Sequence, residues 1–160
     1  MSNTVDVTGS CNCGAVTYEA AGDVIFNLLC HCKPCSRSRG VSPTHVIGVA
    51  DDDFKVTLGQ DNIKEVQPNT GKMTHAFCTK CGCHIFQKPS HVNFRGLLPV
   101  TFKIENNEDD TGRIKLPESM QPTVHVNYES RLLDYNDTLP KFLKFPSGPR
   151  VNNDGSPYTE

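Results

Sequence analysis

A mainly β fold is what this sequence predicts, and three observations predict it. Short runs rich in Val, Ile, Phe, Thr and Tyr recur along the 160 residues, each closed by Gly, Pro or Asp. No stretch of any length carries the apolar period of an amphipathic helix. The 8 cysteines fall into three tight clusters, and the β-rich runs lead into and out of them.

The totals exclude several classes of function. A net charge of −2 gives no general attraction to nucleic acid or to a membrane surface, so neither is an expected partner. No run approaches the roughly 20 apolar residues of a membrane span. The start, MSNTVDVTGS, has neither the basic residues nor the apolar core of a signal peptide. The expected compartment is therefore cytoplasmic, where thiols stay reduced and close cysteine pairs read as metal ligands rather than disulfides.

Taken in order, residues 14–20 alternate apolar and polar and predict a strand leaving Cys11 and Cys13. Residues 24–29 form a β-rich run that delivers the chain into Cys30. Pro34 and Gly40 argue against a long helix between them and allow one short turn after Cys35. Residues 44–50 predict a strand, closed by an Asp51-Asp52-Asp53 turn. Residues 54–58 and 63–66 predict two short strands joined across Gly59. Residues 72–77 run into the third cysteine cluster and residues 84–88 run out of it, a hairpin whose turn suits a metal. Residues 97–104 predict a strand with Pro99 at its edge or start. Residues 105–112 predict an acidic solvated loop, and residues 123–128 a strand. Pro146, Gly148, Pro149, Gly155 and Pro157 predict an irregular tail. The expected organisation is one β domain over residues 1–145 with a tail over residues 146–160.

The cysteines carry the chemistry. Cys78-Thr79-Lys80-Cys81-Gly82 is a tight knuckle in which two thiolates can meet one ion. It needs two more ligands, and Cys11 and Cys13 can supply them, since residues two apart on a strand share a face. Four thiolates close a tetrahedral zinc site, which holds a fold together and does not react. Cys30, Cys32, Cys35 and Cys83 remain. Three thiolates from one loop leave a fourth position for water or a substrate thiol, whereas closure by Cys83 or His31 would make a second staple. Lys33, Arg37 and Arg39 follow the loop with no acidic residue between Cys30 and Ala50, a charge pattern that suits an anionic ligand and equally an ordinary surface. His31, between two candidate ligands, is expected to point away from the metal. His45, His75 and His125 lie in strand-like runs, where a core or surface role is the simpler reading, although any of them can move a proton near neutral pH.

Read together, Gly9-Ser-Cys-Asn-Cys-Gly-Ala-Val16, Cys30-His-Cys-Lys-Pro-Cys35, Phe77-Cys-Thr-Lys-Cys-Gly82 and Pro122-Thr-Val-His125 resemble the glutathione-dependent formaldehyde-activating family, which includes centromere protein V. The first three motifs match in order, content and approximate spacing. Two departures stand out: Cys83 occupies a position where the family commonly has Ser or Thr, and the chain has no tryptophan.

The resemblance implies a small all-β fold of stacked, twisted antiparallel sheets. It implies two zinc ions per chain, a structural one on Cys11, Cys13, Cys78 and Cys81 and a catalytic one on Cys30, Cys32 and Cys35. It implies a carbon–sulfur lyase acting on a small carbonyl compound with glutathione as co-substrate. Lys33, Arg37 and Arg39 would then hold the carboxylates of the glutathione, and His31 and His125 would serve as proton-transfer residues. A lyase or dehydratase step on a larger metabolite, and a zinc-stapled binding module without turnover, are the competing expectations. Either a monomer or a homodimer is compatible with the sequence.

Overall fold

The computed structural model describes residues 3–68, 72–104 and 115–160. Twelve strands and one short α-helix make up its regular structure: β1 (Thr4–Ser10), β2 (Thr17–Asp23), β3 (Phe26–Cys30), α1 (Lys33–Arg39), β4 (Thr44–Ala50), β5 (Phe54–Leu58) and β6 (Ile63–Val66) come first. They are followed by β7 (Met73–Cys78), β8 (His84–Pro89), β9 (Phe94–Leu97), β10 (His125–Val126), β11 (Lys141–Phe142) and β12 (Arg150–Val151). The protein is thus mainly β, with two sheets, as the sequence predicts. None of the described helices is long and apolar enough to cross a membrane.

The chain divides into two compact units, one comprising Met1–Phe26 with Ile47–Gln121, the other Asn27–Val46 with Pro122–Glu160. In the first, β1 and β5 flank β2 in antiparallel register. The period-2 pattern decides the faces. Val5, Tyr18 and Ala20 turn inward, and their polar neighbours Asp6 and Glu19 turn out. A second run of antiparallel pairings joins β6 to β7, β7 to β8, β8 to β9, and β9 to the Ile47–Ala50 part of β4. The core of this unit contains Val16, Ile47, Val49, Ala76, Ile85 and Leu97. Inside it the Thr101 hydroxyl donates to the Leu98 carbonyl at 2.8 Å, so the buried Tyr18 hydroxyl, 2.7 Å away, donates to Thr101. Burial then pushes the Tyr18 pKa up.

In the second unit β10 lies parallel to both β3 and β11, and β12 is antiparallel to β11. A small cluster of Cys30, Cys35 and Val126, backed by Leu28, Cys32 and Val124, forms its apolar centre.

Four boundaries differ from the sequence reading. The short helical turn allowed after Cys35 begins earlier, at Lys33, and Pro34 sits in the first turn of α1, where its missing N–H removes no helical bond. β5 and β6 are not partners across Gly59, since β5 pairs with β2 and β6 with β7. Gly59 has φ 77° and passes so close to the Ala15 carbonyl that no side chain fits. The expected strand over residues 97–104 is instead β9, earlier in the chain, followed by a 3₁₀ turn that Pro99 opens. The strand expected over residues 123–128 shortens to β10 and gives way to a 3₁₀ turn over Tyr128–Ser130.

β1 escaped the sequence reading, because the chain before the first cysteine pair is short and carries only two valines as strand signal. The residues after 145 are not wholly irregular, since Arg150–Val151 pair with β11 and Val151 is buried. The acidic loop expected over residues 105–112 lies outside the described residues.

Candidate metal centres

Two sulfur groups assemble, one in each unit, and within each the sulfurs lie within 4.8 Å of one another. The first comprises Cys11, Cys13, Cys78 and Cys81. Cys11 and Cys13 do not share a strand face. Both lie in the turn that follows β1, closed by Gly14 N–H to the Cys11 carbonyl at 3.1 Å and by Cys11 N–H to the Val16 carbonyl at 3.0 Å. On the other side β7 and β8 form the predicted hairpin, from Met73↔Pro89 to Phe77↔His84. Its turn is held by Cys78 N–H to the Cys83 carbonyl at 2.9 Å and by Gly82 N–H to the Cys78 carbonyl at 2.8 Å. Gly82 takes φ 72°, the left-handed conformation such a knuckle requires.

The donor set fits zinc. A tetrahedral ion with bonds of about 2.3 Å separates its sulfurs by about 3.8 Å. Cys11 Sγ to Cys13 Sγ is 3.6 Å and Cys13 Sγ to Cys78 Sγ is 3.9 Å. Backbone N–H groups point at the sulfurs, as anionic sulfur requires: Val16 N–H to Cys11 at 3.3 Å and Lys80 N–H to Cys78 at 3.4 Å.

The second group comprises Cys30, Cys32 and Cys35. Cys30 ends β3, Cys32 is the residue that precedes the first turn of α1, and Cys35 lies within the helix. An extended Cys32 (φ −61°, ψ 142°) followed by helix folds three sulfurs into one turn of chain. Cys30 and Cys35 are buried and Cys32 half-buried. Hydrogen bonds from Cys32 and Cys35 hold the Cys30 thiol far below the ordinary thiol range, and Cys30 in turn drives Cys35 upward. Three thiolates in one turn repel one another, and a cation among them offsets that repulsion. A divalent thiophilic ion such as zinc fits that need.

Two neighbours already offset part of this charge. Asn127 Nδ2 donates to Cys30 Sγ at 3.4 Å from a residue in left-handed conformation, φ 55°. The Arg39 guanidinium bonds the Cys35 sulfur and faces all three thiols, and burial lowers its own pKa. Lys33 and Arg37 lie elsewhere, on a cavity of about 390 Å³ lined also by Ser36, Val41, Ser130 and Leu132. The three basic residues thus divide, Arg39 toward the sulfurs and the other two toward open space.

Cys83 belongs to neither sulfur group. Its thiol donates to the His84 carbonyl at 3.3 Å, and its side chain packs against the core of the first unit. His31 is no member of the trio either. It is fully buried, and instead of facing solvent its Nε2 lies 2.7 Å from His125 Nδ1. Burial and the nearby His125 lower the His31 pKa to about 4. His125 Nε2 meets Asp137 Oδ2 at 2.9 Å, and Asp137 Oδ1 meets Lys141 Nζ at 2.6 Å. Tyr128 and Tyr135 pack on the His31 ring at 5.0 and 5.2 Å between centroids.

His45 stands apart and bonds Asn27 Oδ1 at 2.6 Å; burial lowers its pKa to about 4. His75 and His84 pack ring to ring in the first unit. Nothing in the sequence singles out Asn127, Asp137 or Lys141. The Asp137-Thr138-Leu139-Pro140-Lys141 turn is an ordinary loop signal, and Asn127 is an ordinary polar residue. A usable hint was the strand-like His125 run that precedes them.

The family model for glutathione-dependent formaldehyde-activating enzymes matches residues 6–130, more than half of the chain. The crystal structure of a protein from Rhodobacter sphaeroides is similar at a TM-score of 0.51 and 26% identity, covering 67% of this chain and 96% of that one.

Proposed function

The chain belongs to the glutathione-dependent formaldehyde-activating enzyme family, and on that premise we propose that it is a zinc-dependent carbon–sulfur lyase. The substrate would be a small carbonyl compound, with glutathione as co-substrate. In the synthetic direction the thiol sulfur bonds to the carbonyl carbon, the carbonyl oxygen takes up the thiol proton, and a hemithioacetal results.

One observation supports the reading most: three sulfurs gather in a turn of the second unit, and no fourth cysteine or histidine joins them among the described residues. Cys30, Cys32 and Cys35 would hold a zinc ion with one position left over, and Cys11, Cys13, Cys78 and Cys81 a second, saturated ion. Zinc held by Cys30, Cys32 and Cys35 would supply Lewis acidity toward a thiol sulfur or carbonyl oxygen.

The chain's own residues would do the rest. Asn127 holds Cys30 in place through its amide. Arg39 offsets the charge of the trio, which keeps the thiolates stable in a half-buried turn. Lys33 and Arg37, which line a cavity of the second unit, would bind the glutathione carboxylates. His31, whose position between Cys30 and Cys32 keeps it beside the ligands, would accept the thiol proton, with His125 behind it. The cytoplasm, rich in reduced glutathione, suits such a reaction.

Zinc-edge absorption spectroscopy tests this. Protein with two zinc ions per chain is expected to show one lighter donor among the eight ligands of the two ions, about half a lighter donor in the averaged shell, replaced by sulfur on adding glutathione. All-sulfur coordination at both sites that glutathione leaves unchanged would sink the lyase reading and favour a zinc-stapled binding module.

A further inference from the structure

The buried contacts behind His31 determine more than its position. Lys141 is 1% exposed, and its ammonium is surrounded by acceptors: Asp137 Oδ1 at 2.6 Å, the Leu139 carbonyl at 3.0 Å and the Asp137 carbonyl at 3.4 Å. An ammonium so placed holds Asp137 as a carboxylate. A carboxylate only accepts, so the proton in the 2.9 Å contact between Asp137 Oδ2 and His125 is on His125 Nε2. A neutral imidazole carries a single proton, which leaves His125 Nδ1 as a lone pair. His31 Nε2, 2.7 Å away, must then be the donor. Its one proton is committed there, and His31 Nδ1 is left bare. That nitrogen is buried and has no hydrogen-bond partner.

The neighbouring hydroxyls are engaged elsewhere. Tyr128 donates to the Asn153 carbonyl at 2.6 Å and Tyr135 to the Ser42 carbonyl at 3.0 Å, so neither is available to protonate the bare nitrogen.

We propose that Asp137 is a positioning residue that acts through His125 to hold His31 in its Nε2–H tautomer, leaving Nδ1 as the bare, proton-accepting nitrogen of a residue that follows Cys30 and precedes Cys32 in the chain. Lys141 is the anchor that keeps the Asp137 carboxylate turned toward His125. Both residues lie beyond the part of the chain that the family model matches, residues 6–130. Only the use of the bare nitrogen, as the acceptor of a thiol proton, rests on the lyase reading; the tautomer does not.

The test reads the tautomer directly. Long-range proton–nitrogen correlation spectra of the ¹⁵N-histidine-labelled, zinc-loaded full chain are recorded at about pH 8, above the ordinary histidine range. No thiol or aldehyde is added, and the His31→Gln and His125→Gln variants assign the signals. Both rings are expected as Nε2–H. In Asp137→Asn the amide oxygen stays with the Lys141 ammonium and the NH₂ turns to His125 Nε2, so both rings are expected to switch to Nδ1–H. Under the lyase reading, turnover in that variant is expected to fall at least about tenfold at unchanged KM.

A wild-type His31 found as Nδ1–H, or a doubly protonated His125, would overturn the proposal without any variant. So would a folded Asp137→Asn protein whose two tautomers stay as in wild type. Wild-type rings in the expected tautomers, in a protein that forms no thiol–carbonyl adduct, would uphold this proposal while removing the lyase reading.

Discussion

The two sulfur groups gather the same donor atom in different ways. In the first unit, four cysteines come from two turns 65 residues apart, and two of the four are exposed. Four thiolates satisfy a tetrahedral ion, so exposure of Cys13 and Cys81 does not open a coordination position; it only brings water to the sulfurs' outer side. In the second unit three cysteines come from six consecutive residues, none fully exposed, and the surrounding shell is polar and charged. The difference teaches that ligand number, not solvent exposure, separates a staple from a reactive centre. A staple needs sulfurs from distant segments, because its contribution is to tie them together. A reactive centre gains from sulfurs on one turn, because the rest of the fold is then free to supply the shell.

That contrast can be broken most forcefully at the staple. Cys78→Ser is expected to lose one of two zinc ions and more than about 4 kcal/mol of stability, the signature of a lost structural metal, as read by metal analysis and chemical denaturation. A variant that retains both ions and its wild-type midpoint would show that the first group ties nothing together.

Cys32→Ser tests the other side. Turnover of the thiol–carbonyl adduct is expected to fall at least about 100-fold, while the denaturation midpoint moves far less than in Cys78→Ser. Full turnover at unchanged zinc content would remove the reactive role from this turn.

A smaller effect probes the shell. Asn127→Ala deletes the amide that meets Cys30 Sγ and is expected to weaken zinc at the second group by about 10-fold, with the first group unaffected. Competition with a colorimetric chelator measures both affinities in one titration, and equal weakening at the two sites would contradict a local role.

The mildest expectation concerns the scaffold of the second unit. His45 is held neutral against Asn27, its pKa lowered from 6.5 to about 4 by burial. Between those values the unfolded chain binds more protons than the folded one, so stability present at neutral pH is lost as pH falls through that window. His45→Gln is expected to flatten this part of the stability–pH curve, measured by denaturant midpoints at a series of pH values. An unchanged slope would place the acid sensitivity elsewhere.

Legibility in the sequence followed the range of each interaction. β4, β5 and β6 were read with their observed bounds because each run is short, strongly β-forming and punctuated by Gly or Asp. The β7–β8 hairpin was legible because a Cys-x-x-Cys-Gly knuckle implies the two strands that flank it. The pairing of β5 with β2 rather than with β6 was not legible, since Gly59 marks a turn without saying which partner each strand takes. β10 was read too long: residues 123–128 have strand composition throughout, but the left-handed Asn127 ends the pairing after Val126.

By itself the sequence sorted seven of the eight thiols into a quartet and a trio and left Cys83 open, which the structure assigns to neither group. Ligands two or three residues apart are constrained by the chain that joins them, so the clusters could be sorted by spacing and by motif before any fold was known. What surrounds the Cys30, Cys32 and Cys35 trio was decided only by tertiary structure. The parallel register of β10 on β3 sets His125 opposite Leu29 and Val126 opposite Cys30. That register brings His125 to His31 across 94 residues and Asn127 to Cys30 across 97. A histidine's tautomer is set by the atom its ring meets, and no spacing in the sequence encodes that meeting.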